Sequence, residues 1–130
     1  MRKTFGMLMV FAVLLVFAGA AQATELTTPS FLALRTNDVL SCRAVNATAS
    51  WQTVRITFWN EAGFMLADSG SQRLSPGQDH AEFIRIPGAG GATPARAYCK
   101  FAVSTSSGIR AVGEIYNPDT GERSSMGKAE

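Results

Sequence analysis

Cysteine, histidine and long apolar runs are all scarce in this 130-residue chain. It has two cysteines and one histidine, whereas zinc sites normally take three or four protein ligands. No Cys-x-x-Cys pair occurs, so thiol–disulfide exchange chemistry lacks its motif. After residue 23 no apolar run has the roughly 18 residues of a membrane-spanning helix. We therefore expect no metal, no cofactor and no membrane span in the mature protein.

Excess positive charge is also lacking once the N-terminal segment is set aside. The chain has 12 Lys and Arg against 10 Asp and Glu, and Arg2 and Lys3 account for the whole excess. No run of basic residues interrupts the remainder. Without such a run, the counterion release that drives most nucleic-acid binding is missing. Nucleic acid is not an expected partner.

The first 23 residues have the pattern of an export signal. Arg2 and Lys3 form a basic region, residues 5–18 an apolar core, and residues 21–23, Ala-Gln-Ala, a small-x-small cleavage site. We expect cleavage after Ala23 and a mature protein in a periplasm or outside the cell. The predicted organisation is a signal peptide (1–23), a loosely held N-terminal arm (24–37), and one domain (38–130) with a polar C-terminal tail.

Both cysteines, Cys42 and Cys99, lie in the exported part. An oxidising compartment would let them pair, and on the chain-entropy account the bridge would stabilise the fold by roughly 4 kcal/mol. We predict one disulfide. The alternative is two buried thiols whose positions are too far apart to bridge.

Short alternating apolar segments separated by turn residues fill the mature chain, and none has the length and period of a helix. Residues 87–94, PGAGGATP, have almost no side chains to pack and predict an irregular loop. This pattern is typical of an all-β sandwich or barrel. The predicted strands are 39–45, 51–59, 64–67, 81–86, 96–103 and 109–116.

Strand parity separates an inward from an outward face, because alternate side chains point to opposite sides of a sheet. Both cysteines fall on inward positions, which predicts an inter-sheet bridge of the kind found in immunoglobulin-type sandwiches. The predicted inward residues are Leu40, Cys42, Ala44, Val54, Ile56, Phe58, Ala97, Cys99, Phe101, Val103, Ile109, Ala111 and Ile115.

Residues 39–116 resemble the small immunoglobulin-like or fibronectin-like domains of exported bacterial proteins. The resemblance lies in the order VRITFWNEAG, a short strand, then LSPGQDHAEF, and it implies a single antiparallel β-sandwich. The chain departs from the antibody pattern, which has a tyrosine where Ala97 stands and an inward tryptophan where Trp51 faces outward. No functional residues carry over from the resemblance.

The outward face of the second predicted strand carries the candidate binding residues Trp51, Arg55 and Trp59. Indoles stack on sugar rings, and a guanidinium hydrogen-bonds hydroxyls or carboxylates, so this face is a candidate contact surface for a glycan or a protein. The alternative is that the indoles cover the edges of the sheet and stack with Arg55 in packing alone. Parity adds further outward residues as candidate contacts: Arg43, Tyr98, Lys100, Arg110, Glu114 and Tyr116.

His80 and Glu82 share one face of a predicted strand, and His80 is the only histidine available as a general base. No serine lies in a Gly-x-Ser-x-Gly setting, and two ligands do not make a metal site. Asn46-Ala47-Thr48 matches an N-glycosylation sequon, which we interpret as a chance match if the cell is bacterial. The sequence thus predicts an exported, non-catalytic binding or interaction module of the cell envelope, ligand unknown. The alternatives are a small exported hydrolase that uses His80 and a carbohydrate-binding module that uses Trp51, Arg55 and Trp59.

Overall fold

The computed structural model describes residues 24–92, 95–105 and 107–130, so the predicted signal peptide lies outside the described residues. This part of the chain forms nine strands and no helix. Accordingly, it holds no helix long and apolar enough to cross a membrane. The strands are β1 (Thr24–Thr27), β2 (Phe31–Ala33), β3 (Val39–Asn46), β4 (Gln52–Asn60), β5 (Met65–Leu74), β6 (Asp79–Arg85), β7 (Ala95–Val103), β8 (Ile109–Tyr116) and β9 (Arg123–Lys128).

The strands form two antiparallel sheets. In the five-stranded sheet the order is β1-β7-β4-β5, and β2 also pairs with β7; in the four-stranded sheet the order is β6-β3-β8-β9. The prediction of an all-β fold made of antiparallel strands is confirmed. The described part of the predicted loop, residues 87–92, consists of turns and bends without a strand.

The inward faces of both sheets meet in one hydrophobic core. Every residue that parity placed inward is buried, and seven of the largest side chains in the core, among them Phe58 and Phe101, have at most 1% of their surface exposed. Alternation of apolar and polar residues along β3, β4, β7 and β8 therefore predicts the part of the core that these four strands contribute. Phe31, on β2, completes it from a segment that the sequence did not assign to a strand.

Cys42 on β3 and Cys99 on β7 form a disulfide that joins the two sheets. Their Cα atoms are 6.5 Å apart, within the range that a disulfide spans, and both residues are fully buried. The predicted bridge between sheets is confirmed in this arrangement.

The N-terminal arm, residues 24–37, is not loose: it contains β1 and β2, and both pair with β7. Pro29, which lacks an N–H group, separates the two strands. Across this gap Thr28 maintains the pairing, because its N–H donates to Cys99 O (3.0 Å) and its Oγ1 accepts from Cys99 N–H (2.9 Å). The arm belongs to the sheet because its few apolar residues and one threonine side chain meet the edge of β7.

The polar C-terminal segment also differs from the prediction, because it forms β9 beside β8. Asn117, at the turn between them, is buried. Its Nδ2 donates to Asp38 Oδ1 (3.0 Å), and its Oδ1 accepts from Asp119 N–H (3.0 Å). The carboxylate of Asp38 also accepts the N–H groups of residues 34 and 35 at 3.0 Å each. Side-chain hydrogen bonds, which carry no periodic signal, thus hold this hairpin in place.

The strand predicted at 64–67 is longer in the structure, where β5 continues to Leu74. The sequence does not predict residues 68–74 as strand because β5 lies at the edge of the sheet, where its side chains are polar and largely exposed. Register shifts between Arg55 and Thr57 and between Phe58 and Trp59 interrupt its pairing with β4. Such irregularities protect an exposed edge from pairing with another chain.

Candidate functional site

The candidate residues Trp51, Arg55 and Trp59 lie on the outward side of the five-stranded sheet, as predicted. Trp51 immediately precedes β4, and the other two are on it. We call this surface the aromatic face: these three residues together with Tyr98, which lies opposite Trp59 on β7. Trp51 is 56% exposed, whereas Trp59 is half-buried.

Each indole is covered on one side by a cation from a neighbouring strand. The guanidinium carbon of Arg73 lies 4.9 Å from the ring centroid of Trp51, and Lys100 Nζ lies 4.9 Å from that of Trp59. These are cation–π distances. Trp59 Nε1 also donates a hydrogen bond to Thr57 Oγ1 (2.9 Å). Each indole therefore has a charged partner against one of its faces, and Trp59 has a hydrogen-bond partner as well.

Arg55 does not stack between the indoles, as the packing alternative proposed, but pairs with Asp68 on β5. Arg55 Nε donates to Asp68 Oδ1 at 2.9 Å, and its Nη2 donates to Oδ2. Hydrogen bonding by Arg55, together with the bond from Gly70 N–H at 2.9 Å, lowers the pKa of Asp68 to about 2. The interaction with Asp68 in turn raises the pKa of Arg55. The guanidinium is thus oriented by a carboxylate and only partly free for a ligand.

The two tryptophans are eight residues apart along an extended strand, which corresponds to about 26 Å at the usual rise per residue. A ligand that contacts both indoles must therefore be extended along β4. Lys100 joins Tyr98 on this side of the sheet. The other outward residues predicted as contacts, Arg43, Arg110, Glu114 and Tyr116, belong to the four-stranded sheet and lie on the opposite surface of the molecule.

His80 and Glu82 share one side of β6, with His80 Nε2 3.1 Å from Glu82 Oε1. Within residues 24–92, 95–105 and 107–130, no group of three or more His, Cys, Asp or Glu side chains is placed to hold a metal ion. This pair lies on an edge strand of the four-stranded sheet, away from the aromatic face.

Asn46 of the sequon is a structural residue. It is fully buried, its Nδ2 donates to the carbonyls of Ser50 (2.8 Å) and Leu74 (3.1 Å), and its Oδ1 accepts from Thr48 Oγ1 (2.6 Å). Every polar position of this side chain is in use inside the fold, so a glycan on Asn46 is incompatible with this structure.

The structure reveals a second surface, the outward side of the four-stranded sheet, which we call the basic face. Phe83 on β6 is 72% exposed and Met126 on β9 is 63% exposed. Three surface depressions, of about 150, 330 and 710 Å³, lie on this face. The sequence does not indicate this face, because its polar C-terminal residues do not predict β9 and because a single sequence does not show the strand order that brings β6, β3, β8 and β9 side by side.

Comparison with known proteins supports only the fold. The sequence matches no protein-family model and no curated protein. Among solved structures, it is similar to the crystal structure of Thermotoga maritima 1070, with a TM-score of 0.51 and 11% sequence identity over 84% of this chain and 94% of that one. At this identity the likeness concerns the overall fold alone.

Proposed function

We propose that this protein is an exported, non-catalytic binding module with an immunoglobulin-like β-sandwich fold, and that it contacts its ligand through the aromatic face. The observation that carries the proposal is the setting of the two indoles: each has a cation over one face, and Trp59 also has its N–H bonded to Thr57. Contacts that restrict an aromatic side chain before binding reduce the conformational entropy that it loses on binding. A buried disulfide between the sheets supports an oxidising location.

The spacing of the indoles favours an extended glycan as the ligand. Trp51 leaves more than half of its surface open, so one of its faces is free to stack on a sugar ring. Between the two indoles, the Arg55–Asp68 pair offers both donors and acceptors to hydroxyl groups. A chain molecule that lies along β4 meets an aromatic ring at each end and a polar pair in the middle.

The test uses the two tryptophans as their own reporters, since the chain contains no others. The mature protein, from Thr24 and oxidised, is titrated with soluble fragments of cell-envelope polysaccharides, and tryptophan fluorescence and calorimetry are recorded. We expect saturable binding with a change in fluorescence. Trp51→Ala and Trp59→Ala should each weaken binding at least about tenfold, in line with the energy of a lost stacking contact.

The matched control is Phe64→Ala, which removes a 69% exposed aromatic side chain outside the aromatic face and should leave binding unchanged. His80→Ala should also leave binding unchanged. Equal losses in the Phe64 and tryptophan variants would contradict the proposed site. If the protein turns over an envelope substrate and His80→Ala abolishes that turnover, the hydrolase hypothesis would be supported and the binding-module hypothesis rejected.

A further inference from the structure

The basic face has a surplus of positive charge that the structure leaves without partners. Arg43 and Arg123 pair with Asp79 (3.4 Å) and Glu114 (3.5 Å). Three further cations on this face have no carboxylate within ion-pair distance among the described residues, which include every Asp and Glu of the chain after the signal segment. These unpaired cations are Arg85, Arg110 and Lys128.

The same face exposes two large apolar side chains on its opposite edges. Direct cross-strand pairs put Phe83, Ser41, Glu114 and Met126 in one row across β6, β3, β8 and β9. Three strand spacings separate the first from the last, or about 14 Å. Phe83 and Met126 therefore project on the same side of the sheet, apart from each other and with polar residues between them.

The depressions on this face combine apolar and basic residues. The largest, of about 710 Å³, is lined by Val45, Val112 and Met126 together with Arg110 and Lys128. A second, of about 330 Å³, is lined by Phe83, Tyr116 and Arg85, among others. Each thus offers an apolar surface beside an unpaired cation, and the ligand chemistry that matches both is an anionic headgroup attached to an apolar chain.

We propose that the basic face binds the surface of a membrane that contains anionic lipids. A second copy of this chain is a poor occupant, because stacking the same face against itself would oppose unpaired cations. An acidic peptide or polysaccharide would neutralise the cations but would leave the exposed side chains of Phe83 and Met126, on opposite edges, without an apolar contact. A bilayer surface engages both: the cations meet lipid headgroups, and the apolar side chains enter the headgroup–acyl boundary.

The experiment is sedimentation of the oxidised mature protein with vesicles of phosphatidylcholine alone or mixed with phosphatidylglycerol. We expect binding to the mixed vesicles only, weakening as salt is raised. Each cation near an anionic surface contributes about fivefold to partitioning, so Arg110→Gln/Lys128→Gln should bind about 25-fold more weakly. Phe83→Ser should weaken binding without altering its salt dependence.

The matched control is Arg96→Gln, which removes one positive charge from the five-stranded sheet, where Arg96 has no ion pair among the described residues. It should bind as the native protein does, whereas Lys128→Gln alone should bind about fivefold more weakly. Circular dichroism verifies that each variant is folded. Both tryptophans lie on the opposite surface of the molecule, on β4 or just before it, so their fluorescence should not shift to shorter wavelength on vesicle binding.

Three results would overturn the proposal, and each can be obtained with the native protein or a surface variant. The first is equal binding to neutral and anionic vesicles, and the second is a blue shift of tryptophan fluorescence, which would assign the contact to the aromatic face. The third is binding to soluble polyaspartate as tightly as to vesicles with no effect of Phe83→Ser, which would assign the basic face to an acidic chain instead. None of these results depends on glycan binding by the aromatic face, so the two proposals can fail separately.

Discussion

The ring of Phe31 packs onto the backbone of Gly113, across the interface between the two sheets. A Cβ atom added at Gly113 would lie 2.8 Å from Phe31 Cε2, and one added at Gly127 would lie 2.9 Å from Phe31 Cζ. Gly113 and Gly127 face each other on β8 and β9. The two glycines therefore leave a flat patch on the four-stranded sheet, and Phe31 occupies it.

Gly113→Ala should destabilise the protein, since the new methyl group meets the ring of Phe31, a residue that is 95% buried and has little room to move. Overpacking of this kind costs about 1–3 kcal/mol, measured as the change in the free energy of unfolding in urea. Phe31→Leu provides the partner for a double-mutant cycle. The double variant should be more stable than the sum of the two single changes indicates, and strict additivity would mean that the ring and the glycine are not coupled.

Asn46→Ala should also destabilise the protein, because it removes the buried Nδ2 donor of the Leu74 carbonyl; the exposed Ser50 carbonyl still accepts from Thr48 Oγ1. Leaving one buried polar group unpaired costs about 1–3 kcal/mol. Thermal and urea unfolding measure the effect. Asn60→Ala serves as the control, because its side chain accepts only one exposed hydrogen bond, from Phe64 N–H; a loss as large as that of Asn46→Ala would contradict the assignment.

The pair formed by Arg55 and Asp68 should make stability depend on pH in the acid range. The Arg55 hydrogen bond lowers the pKa of Asp68 from 3.8 to about 2 in the folded protein, so between these values the unfolded chain binds more protons than the folded one. The contribution of the pair to the free energy of unfolding is present above pH 3.8 and is lost as the pH falls towards 2. Carbon-detected NMR of the Asp68 carboxyl group follows this titration directly.

In Arg55→Gln the Asp68 midpoint should move up towards 3.8, while the Gly70 hydrogen bond still keeps it somewhat low. Arg73→Gln is the control, because Arg73 lies over Trp51 and makes no ion pair with Asp68. An unchanged midpoint in Arg55→Gln would show that the pair does not form in solution.

Removal of the disulfide should lower the free energy of unfolding by about 4 kcal/mol, because the bridge closes a long loop between residues 57 positions apart. Urea unfolding of the native protein with and without dithiothreitol measures this, with Cys42→Ala/Cys99→Ala as a second form of the change. Reductant should have no effect on that double variant. A native protein equally stable under reducing and oxidising conditions would contradict a stabilising bridge.

Prediction from sequence succeeded where a residue's environment repeats every second position. The inward sets on β3, β4, β7 and β8 and the placement of Cys42 and Cys99 follow from that period alone. It failed where specific side-chain hydrogen bonds determine whether a segment joins a sheet. Thr28 extends the pairing of β7 past Pro29, and Asn117 bonds Asp38 to hold the turn into β9, so the segments at 24–37 and 117–130 were not predicted as part of the sheets.

The sequence predicted which residues of the candidate site face outward, but not which side chains of neighbouring strands they contact. Parity placed Trp51, Arg55 and Trp59 outward, yet it does not say which strand lies beside β4. The structure puts β7 on one side and β5 on the other, which brings Lys100 to Trp59 and Asp68 to Arg55. The basic face depends on strand order even more strongly, since it combines residues from four strands.

The central position of β7 also dictates the order in which the molecule is completed. β1, β2 and β4 all pair with β7, and Cys42 bonds with a cysteine on it, although all of these precede it in the chain. A growing chain therefore holds these segments without their partner until residues 95–103 have been made. Such dependence on distant contacts slows folding, and it leaves β1, β2 and the thiol of Cys42 without their partners until the five-stranded sheet closes.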